Sequence, residues 1–111
     1  PRKIMMDTRD RMEEVGRNID ANKGVFVPDN KSLLNDYITP EELWACTSCN
    51  ACVEECPVNI SPLSIIIDMR RYLVMEQSAA PTSLNVMMSN IENNGAPWQY
   101  SQQDRLNWKN E

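Results

Sequence analysis

The chain contains no histidine, which removes Ser-His-Asp and Cys-His catalysis, Rieske ligation and most catalytic zinc sites together. Positive charge is scarce too: 11 Lys and Arg against 16 Asp and Glu give a formal charge of -5. That balance repels a phosphate backbone, and no basic patch interleaved with aromatics offsets it, so nucleic acid is not an expected partner. Long apolar runs are missing. A run such as Ile65-Ile66-Ile67 falls far short of the roughly 18 residues that a membrane span needs, so this stretch of chain is expected to be soluble. No segment reads as a signal peptide, and hardly any alternating strand pattern exists.

What remains is one small all-α domain over residues 1–111, with 41% apolar residues, three tryptophans and seven prolines. A chain of this size buries roughly two-thirds of its unfolded surface. Residues 1–17 read as a helix that Pro1 opens, with Ile4, Met5, Met12 and Val15 at helical spacing and an end near Gly16. Residues 18–38 read as a loop, with Val25-Phe26-Val27 extended at most and a turn of helix near Lys31 to Asp36. In the cysteine segment, 39–57, Thr39-Pro40-Glu41-Glu42 is a capping box that starts a short helix through Leu43 and Trp44 into Cys46. Two helices occupy 61–94. The first opens at Ser61-Pro62 and runs to Gln77; the second is capped by Thr82 or Ser83 and closed by Asn94-Gly95. The C-terminal segment, 95–111, carries a last short helix from Ser101 to Trp108.

All four cysteines fall between Cys46 and Cys56, unlike a secreted disulfide framework, whose bridges staple distant segments; a reducing, cytoplasmic setting fits better. Their spacing, C-x2-C-x2-C-x3-C-P, is that of iron-sulfur ligation in bacterial ferredoxins. Three cysteines three residues apart wrap a tight backbone around a cuboidal 4Fe-4S cluster, one thiolate to each iron, and the proline turns the chain away. Cys46, Cys49, Cys52 and Cys56 are therefore the candidate cluster and metal ligands, and no catalytic residue is identified. Two alternatives stay open. One is a structural zinc module, although closed zinc sites usually separate two CxxC knuckles by a longer insert. The other is a cluster-free helical interaction domain with unligated thiols. In two-cluster ferredoxins the fourth cysteine of this motif ligates the other cluster, which would send Cys56 to a second centre.

A weak repeat bears on where that second centre belongs. Pro1 to Arg9 aligns with Pro62 to Arg70: proline, isoleucine, aspartate and arginine coincide, Met5 and Met6 face Ile66 and Ile67, and Met12 faces Leu73. Two amphipathic helices can match this well by chance. Taken as a repeat, the alignment places a matching cysteine motif just upstream of Pro1, so that the chain is expected to be a truncated fragment.

The segment CTSCNACVEECPV, the helix that follows Asn59-Ile60-Ser61-Pro62, and Asn90-Ile91-Glu92-Asn93-Asn94-Gly95-Ala96-Pro97-Trp98 together resemble the heterodisulfide reductase-related iron-sulfur oxidoreductases, in particular the cluster domain of their bacterial membrane-anchored members. The cysteine motif is shared by many ferredoxin-like proteins; the Asn-Ile-Glu-Asn-Asn-Gly-x-Pro-Trp segment is more particular. The resemblance implies an alpha-helical ferredoxin fold with two 4Fe-4S clusters in the parent and one or none in this piece. Cys46, Cys49 and Cys52 would serve one cluster and Cys56 its neighbour. It also implies an electron-transfer role inside a larger oxidoreductase, anchored on the cytoplasmic face of the inner membrane. Quinone or haem would be the partner in the membrane part, a CCG-domain subunit or flavoprotein the redox partner on the cytoplasmic side. Self-association of the piece is a further way to complete its ligand sets.

Around the motif, Trp44 reads either as a core residue or as a shield for the cluster, and Val58 and Ile60 are expected to exclude water from its sulfurs. Arg70 and Arg71 read either as cations that steer an acidic partner or offset the anionic cluster, or as a solvated helix face paired with Asp68 or Glu76, which is the expectation. Met69, Met75, Met87 and Met88 are expected to fill the core, with an adaptable docking surface as the alternative. Trp98 and Trp108 either anchor the C-terminal segment or belong to an interface.

Overall fold

The structure, a computed structural model, describes residues 2–110. Pro1, the expected helix opener, lies outside the described residues. Helix accounts for 65% of the chain and no strand occurs among the described residues, an all-α fold. The chain divides into two compact units between Tyr72 and Leu73, where the sequence suggests one domain. No described helix is long and apolar enough to cross a membrane.

In the first unit, helix α1 spans Arg2–Ala21. It continues past Gly16, because a single helical glycine costs only about 1 kcal/mol. Its stop comes later, where Lys23 and Gly24 take φ 57° and 86° and the Gly24 amide caps the Ile19 carbonyl at 2.9 Å. Ile4 and Arg11 are the buried side chains of α1; Met12, expected on the same apolar face, is 69% exposed.

Arg11 takes over the inward face. It makes a two-pronged pair with Asp29 at 2.6 and 3.0 Å, donates to the Lys31 carbonyl at 2.9 Å and reaches Glu14 at 3.0 Å. The Tyr37 hydroxyl donates to the same Glu14. These bonds return the exposed 22–32 connection to α1. Asn18 contributes further up, its side-chain oxygen accepting from the Val27 amide and its amide donating to the Val27 carbonyl, both at 3.0 Å.

The expected turn of helix near Lys31 to Asp36 is instead a closed turn over Leu33–Tyr37, with Leu34 extended and Asn35 left-handed at φ 81°. Two opposed bonds seal it, Ile38 N–H to the Leu33 carbonyl at 3.0 Å and Asn35 N–H to the Ile38 carbonyl at 2.8 Å. The reversal lets both Leu34 and Ile38 point inward, where they are 5% and 0% exposed.

Helix α2, Pro40–Ala45, begins on the capping box: Thr39 Oγ1 accepts from the Glu42 amide at 3.3 Å while Glu42 accepts from the Thr39 amide. It delivers Leu43, fully buried. Helix α3 is the single turn Ala51–Glu54. Helix α4, Pro62–Met75, starts with Ser61 Oγ accepting from the Ser64 amide at 3.2 Å, and its Ile66 is fully buried. The core of this unit is thus Ile4, Leu34, Ile38, Leu43 and Ile66.

The second unit has one buried hydrophobic residue among those described, Leu73. Helix α4 ends at Met75, two residues before Gln77, as Ser78 turns left-handed and the Ala79 amide bonds the Leu73 carbonyl at 3.0 Å. Helix α5 spans Thr82–Asn94. Neither Thr82 nor Ser83 caps it; Pro81 holds the cap position with no side-chain bond, because the helix begins one residue earlier than a Thr82 cap allows. Gly95 closes it at φ 68°, its amide on the Ile91 carbonyl. The last segment, Gln102–Asn110, is a 3-10 helix and exposed throughout. The methionines do not form a core: Met75 and Met88 are exposed, and Met69 and Met87 half-buried.

Candidate metal centre

The cysteines are distributed along one continuous path. Cys46 caps the C-terminus of α2 in extended conformation, Cys49 lies in the loop, Cys52 is on α3, and Cys56 follows it. Ser48 and Asn50 bracket Cys49 with φ of 57° and 66°. Small polar side chains tolerate this left-handed backbone, which doubles the chain back within a few residues. Asn50 then starts α3, its carbonyl accepting from the Val53 and Glu54 amides at 3.1 Å. All four thiols are free; Cys49 is exposed and the other three are half-buried.

One of the sulfurs already receives an N–H donor. The Ile60 amide donates to Cys56 Sγ at 3.3 Å. The Ala51 amide, and after it the Thr47 hydroxyl, hold the Cys49 thiol below the usual cysteine range by favouring its thiolate.

Arg70 of α4 grips the loop from the other side. Its guanidinium donates to the Leu43 carbonyl at 3.0 Å through Nε, to the Leu43 and Cys46 carbonyls through Nη2, and to Ser48 Oγ at 3.3 Å through Nη1. It also lies over the Trp44 ring, 4.9 Å from the centroid. The expectation of a solvated pair holds for Arg71, bonded to Asp68 at 2.7 Å, but not for Arg70. The missed signal is positional: Arg70 is four residues after Ile66 and three before Leu73, on the buried stripe of α4.

Trp44 is half-buried, and its Nε1 is a buried donor without a partner. Val58 and Ile60, expected to keep water from the sulfurs, are 67% and 52% exposed; with Pro57 and Asn59 also exposed, the chain after Cys56 runs along the surface.

Among the described residues, no three His, Cys, Asp or Glu side chains converge on a point where one metal ion would sit. A 4Fe-4S cubane carries its four irons at alternate corners, with sulfides at the others, and each iron takes one thiolate. Soft sulfur donors, an amide aimed at sulfur and a neighbouring cation make these residues a fit for an anionic iron-sulfur cluster.

Residues 2–60, more than half of the chain and all four cysteines, match the 4Fe-4S dicluster domain family. Among curated proteins, the chain is 43% identical over 82 residues to the probable iron-sulfur-binding oxidoreductase FadF of Bacillus subtilis, covering 74% of this chain and 12% of that protein. It is 36% identical over 100 residues to the EtfAB:quinone oxidoreductase of Syntrophomonas wolfei, covering 90% of this chain and 14% of the relative. A probable membrane-anchored ferredoxin of Chromohalobacter salexigens is 41% identical over 71 residues, 64% of this chain and 11% of its own length. The chain therefore spans only a small part of the relatives it matches. No solved structure matches it. The kinship with heterodisulfide reductase-related iron-sulfur oxidoreductases holds. The chain belongs to the 4Fe-4S dicluster domain family and is an electron-transfer module of that family.

Proposed function

We propose that Cys46, Cys49 and Cys52 bind three irons of one 4Fe-4S cluster and Cys56 ligates a neighbouring one. The carrying observation is the C-x2-C-x2-C-x3-C-P spacing laid on a loop in which the Ile60 amide donates to the Cys56 sulfur. Each such cluster takes four thiolates, and the chain holds four cysteines, so a two-cluster state draws its remaining thiolates from residues outside this sequence.

The bound clusters supply one-electron transfer. This chain's own residues set the loop path through Arg70, position Cys46 through α2, and direct an N–H group at sulfur. Electrons pass between a redox protein, a flavoprotein or a CCG-domain subunit, and quinone or haem in the membrane part of a larger oxidoreductase. The relatives named for EtfAB:quinone oxidoreduction and for membrane anchoring support that route; the place proposed for it is the cytoplasmic face of the inner membrane.

Anaerobic purification of the full-length protein, with iron, sulfide and zinc analysis and electron paramagnetic resonance after dithionite, tests the assignment. The expected result is iron and sulfide in equal amounts and a reduced-cluster signal, with Cys46→Ser and Cys56→Ser perturbing the signals of two different clusters. Zinc without iron would overturn it, and identical loss of one cluster in both variants would overturn the split.

A further inference from the structure

We propose that Arg70 is a positioning residue of the cysteine loop and that its charge holds the adjacent cluster at a higher reduction potential. This inference rests on Cys46, Cys49 and Cys52 being ligands of one cluster, as proposed above.

Three observations carry it. The guanidinium bonds the carbonyl of Cys46 itself, the hydroxyl of Ser48 and the carbonyl of Leu43, so it touches the loop on both sides of the first ligand. Among the described residues no carboxylate comes within salt-bridge distance of Arg70, whereas Arg71 beside it is paired with Asp68. The side chain is part-buried and stacked on Trp44, where water screens its charge less than at an exposed position.

Each of these has an electrostatic consequence. Accepting one electron makes a cluster with four thiolates one charge more negative, with no bond made or broken. A nearby cation without a carboxylate partner stabilises the reduced state more than the oxidised one. The same cation, tied to three loop acceptors, cannot swing away when the electron leaves. Arg is suited to both tasks, since its planar fork serves several acceptors while its flat face lies on an indole. An amide in its place keeps part of the hydrogen bonding and loses the charge.

The test is a redox titration of the cluster-loaded full-length protein, followed by electron paramagnetic resonance, for wild type, Arg70→Gln and Arg70→Lys. Arg70→Gln is expected to retain iron and shift one cluster's reduction equilibrium at least tenfold toward the oxidised form, which for one electron is 59 mV lower. Arg70→Lys is expected to recover most of the shift. Iron at wild-type content with an unchanged midpoint in Arg70→Gln overturns the proposal and leaves the ligand assignment standing; absence of iron from the wild type overturns both. Should Arg70→Gln fail to load, Arg70→Lys decides, since it keeps the charge and loses the planar fork. A loaded Arg70→Lys with a midpoint near that of the wild type supports the proposal, and one lowered by about 59 mV or more overturns it.

Discussion

Leu43→Ala probes the link between the core and the cysteine loop. Leu43 is fully buried, and α2 ends two residues later at Ala45, with Cys46 as its cap. Full burial of a leucine side chain is worth about 1.5–3 kcal/mol in transfer alone, and the cavity left behind raises the cost of Leu→Ala to about 2–5 kcal/mol. A site sealed to 0% exposure between two short connections has little freedom to collapse, so about 3 kcal/mol is a reasonable centre. At 1.4 kcal/mol per factor of ten, that is roughly a hundredfold or more in the opening equilibrium. Hydrogen-deuterium exchange of the intact, cluster-loaded protein reads this directly, as faster exchange of amides in 33–46. Met12→Ala is the matched control: Met12 is 69% exposed, and its loss should change protection in α1 by no more than about twofold. The backbone carbonyl that Arg70 bonds survives in Leu43→Ala, so the effect isolates packing from the guanidinium contact. Protection in 33–46 within threefold of wild type would refute the argument.

Two further perturbations follow from particular bonds. Thr39→Ala removes the acceptor for the Glu42 amide and should cost about 1 kcal/mol, seen as roughly fivefold faster exchange confined to the start of α2, with Thr39→Ser close to wild type. The Asp29 carboxyl, held down to about 2 chiefly by its hydrogen bonds from Arg11, is depressed relative to the unfolded chain. Its contribution is therefore complete above the ordinary carboxylate range near pH 4 and is lost as pH falls through about 2. Pepsin cleavage within 22–32, corrected with a reference peptide, should accelerate across that window, while Asp29→Asn should cleave faster already at pH 4. A flat profile in the wild type would contradict the pairing.

Local signals were legible wherever one residue type has one physical use. The Thr39 capping box, the Ser61-Pro62 start and the left-handed Gly95 all form where their chemistry indicates, and the cysteine spacing led to the family. Signals that depend on partners distant in sequence were not. Gly16 looked like a helix stop, but the decisive geometry lies at Lys23-Gly24. Nothing in the sequence singles out Arg11, yet it is buried because Asp29 and Lys31 reach it from the following connection and Glu14 from its own helix. The Met residues of α5 do not become core, because the second unit buries almost no side chain among the described residues.

Arg70 belongs with these, and the form of its contacts bears on how the cysteine variants are to be read. Two of its three acceptors are main-chain carbonyls, of Leu43 and Cys46, and the third is the Ser48 hydroxyl. None is a thiol. The bends at Ser48 and Asn50 are likewise backbone features, and α2 is set by Thr39 and Leu43 upstream of the first cysteine. None of these determinants involves a sulfur atom, and Cys46→Ser leaves every one of them in place. Iron lost from such a variant reports the missing thiolate and not a collapsed loop, whereas iron lost on Arg70 replacement with all four cysteines intact reports the path itself.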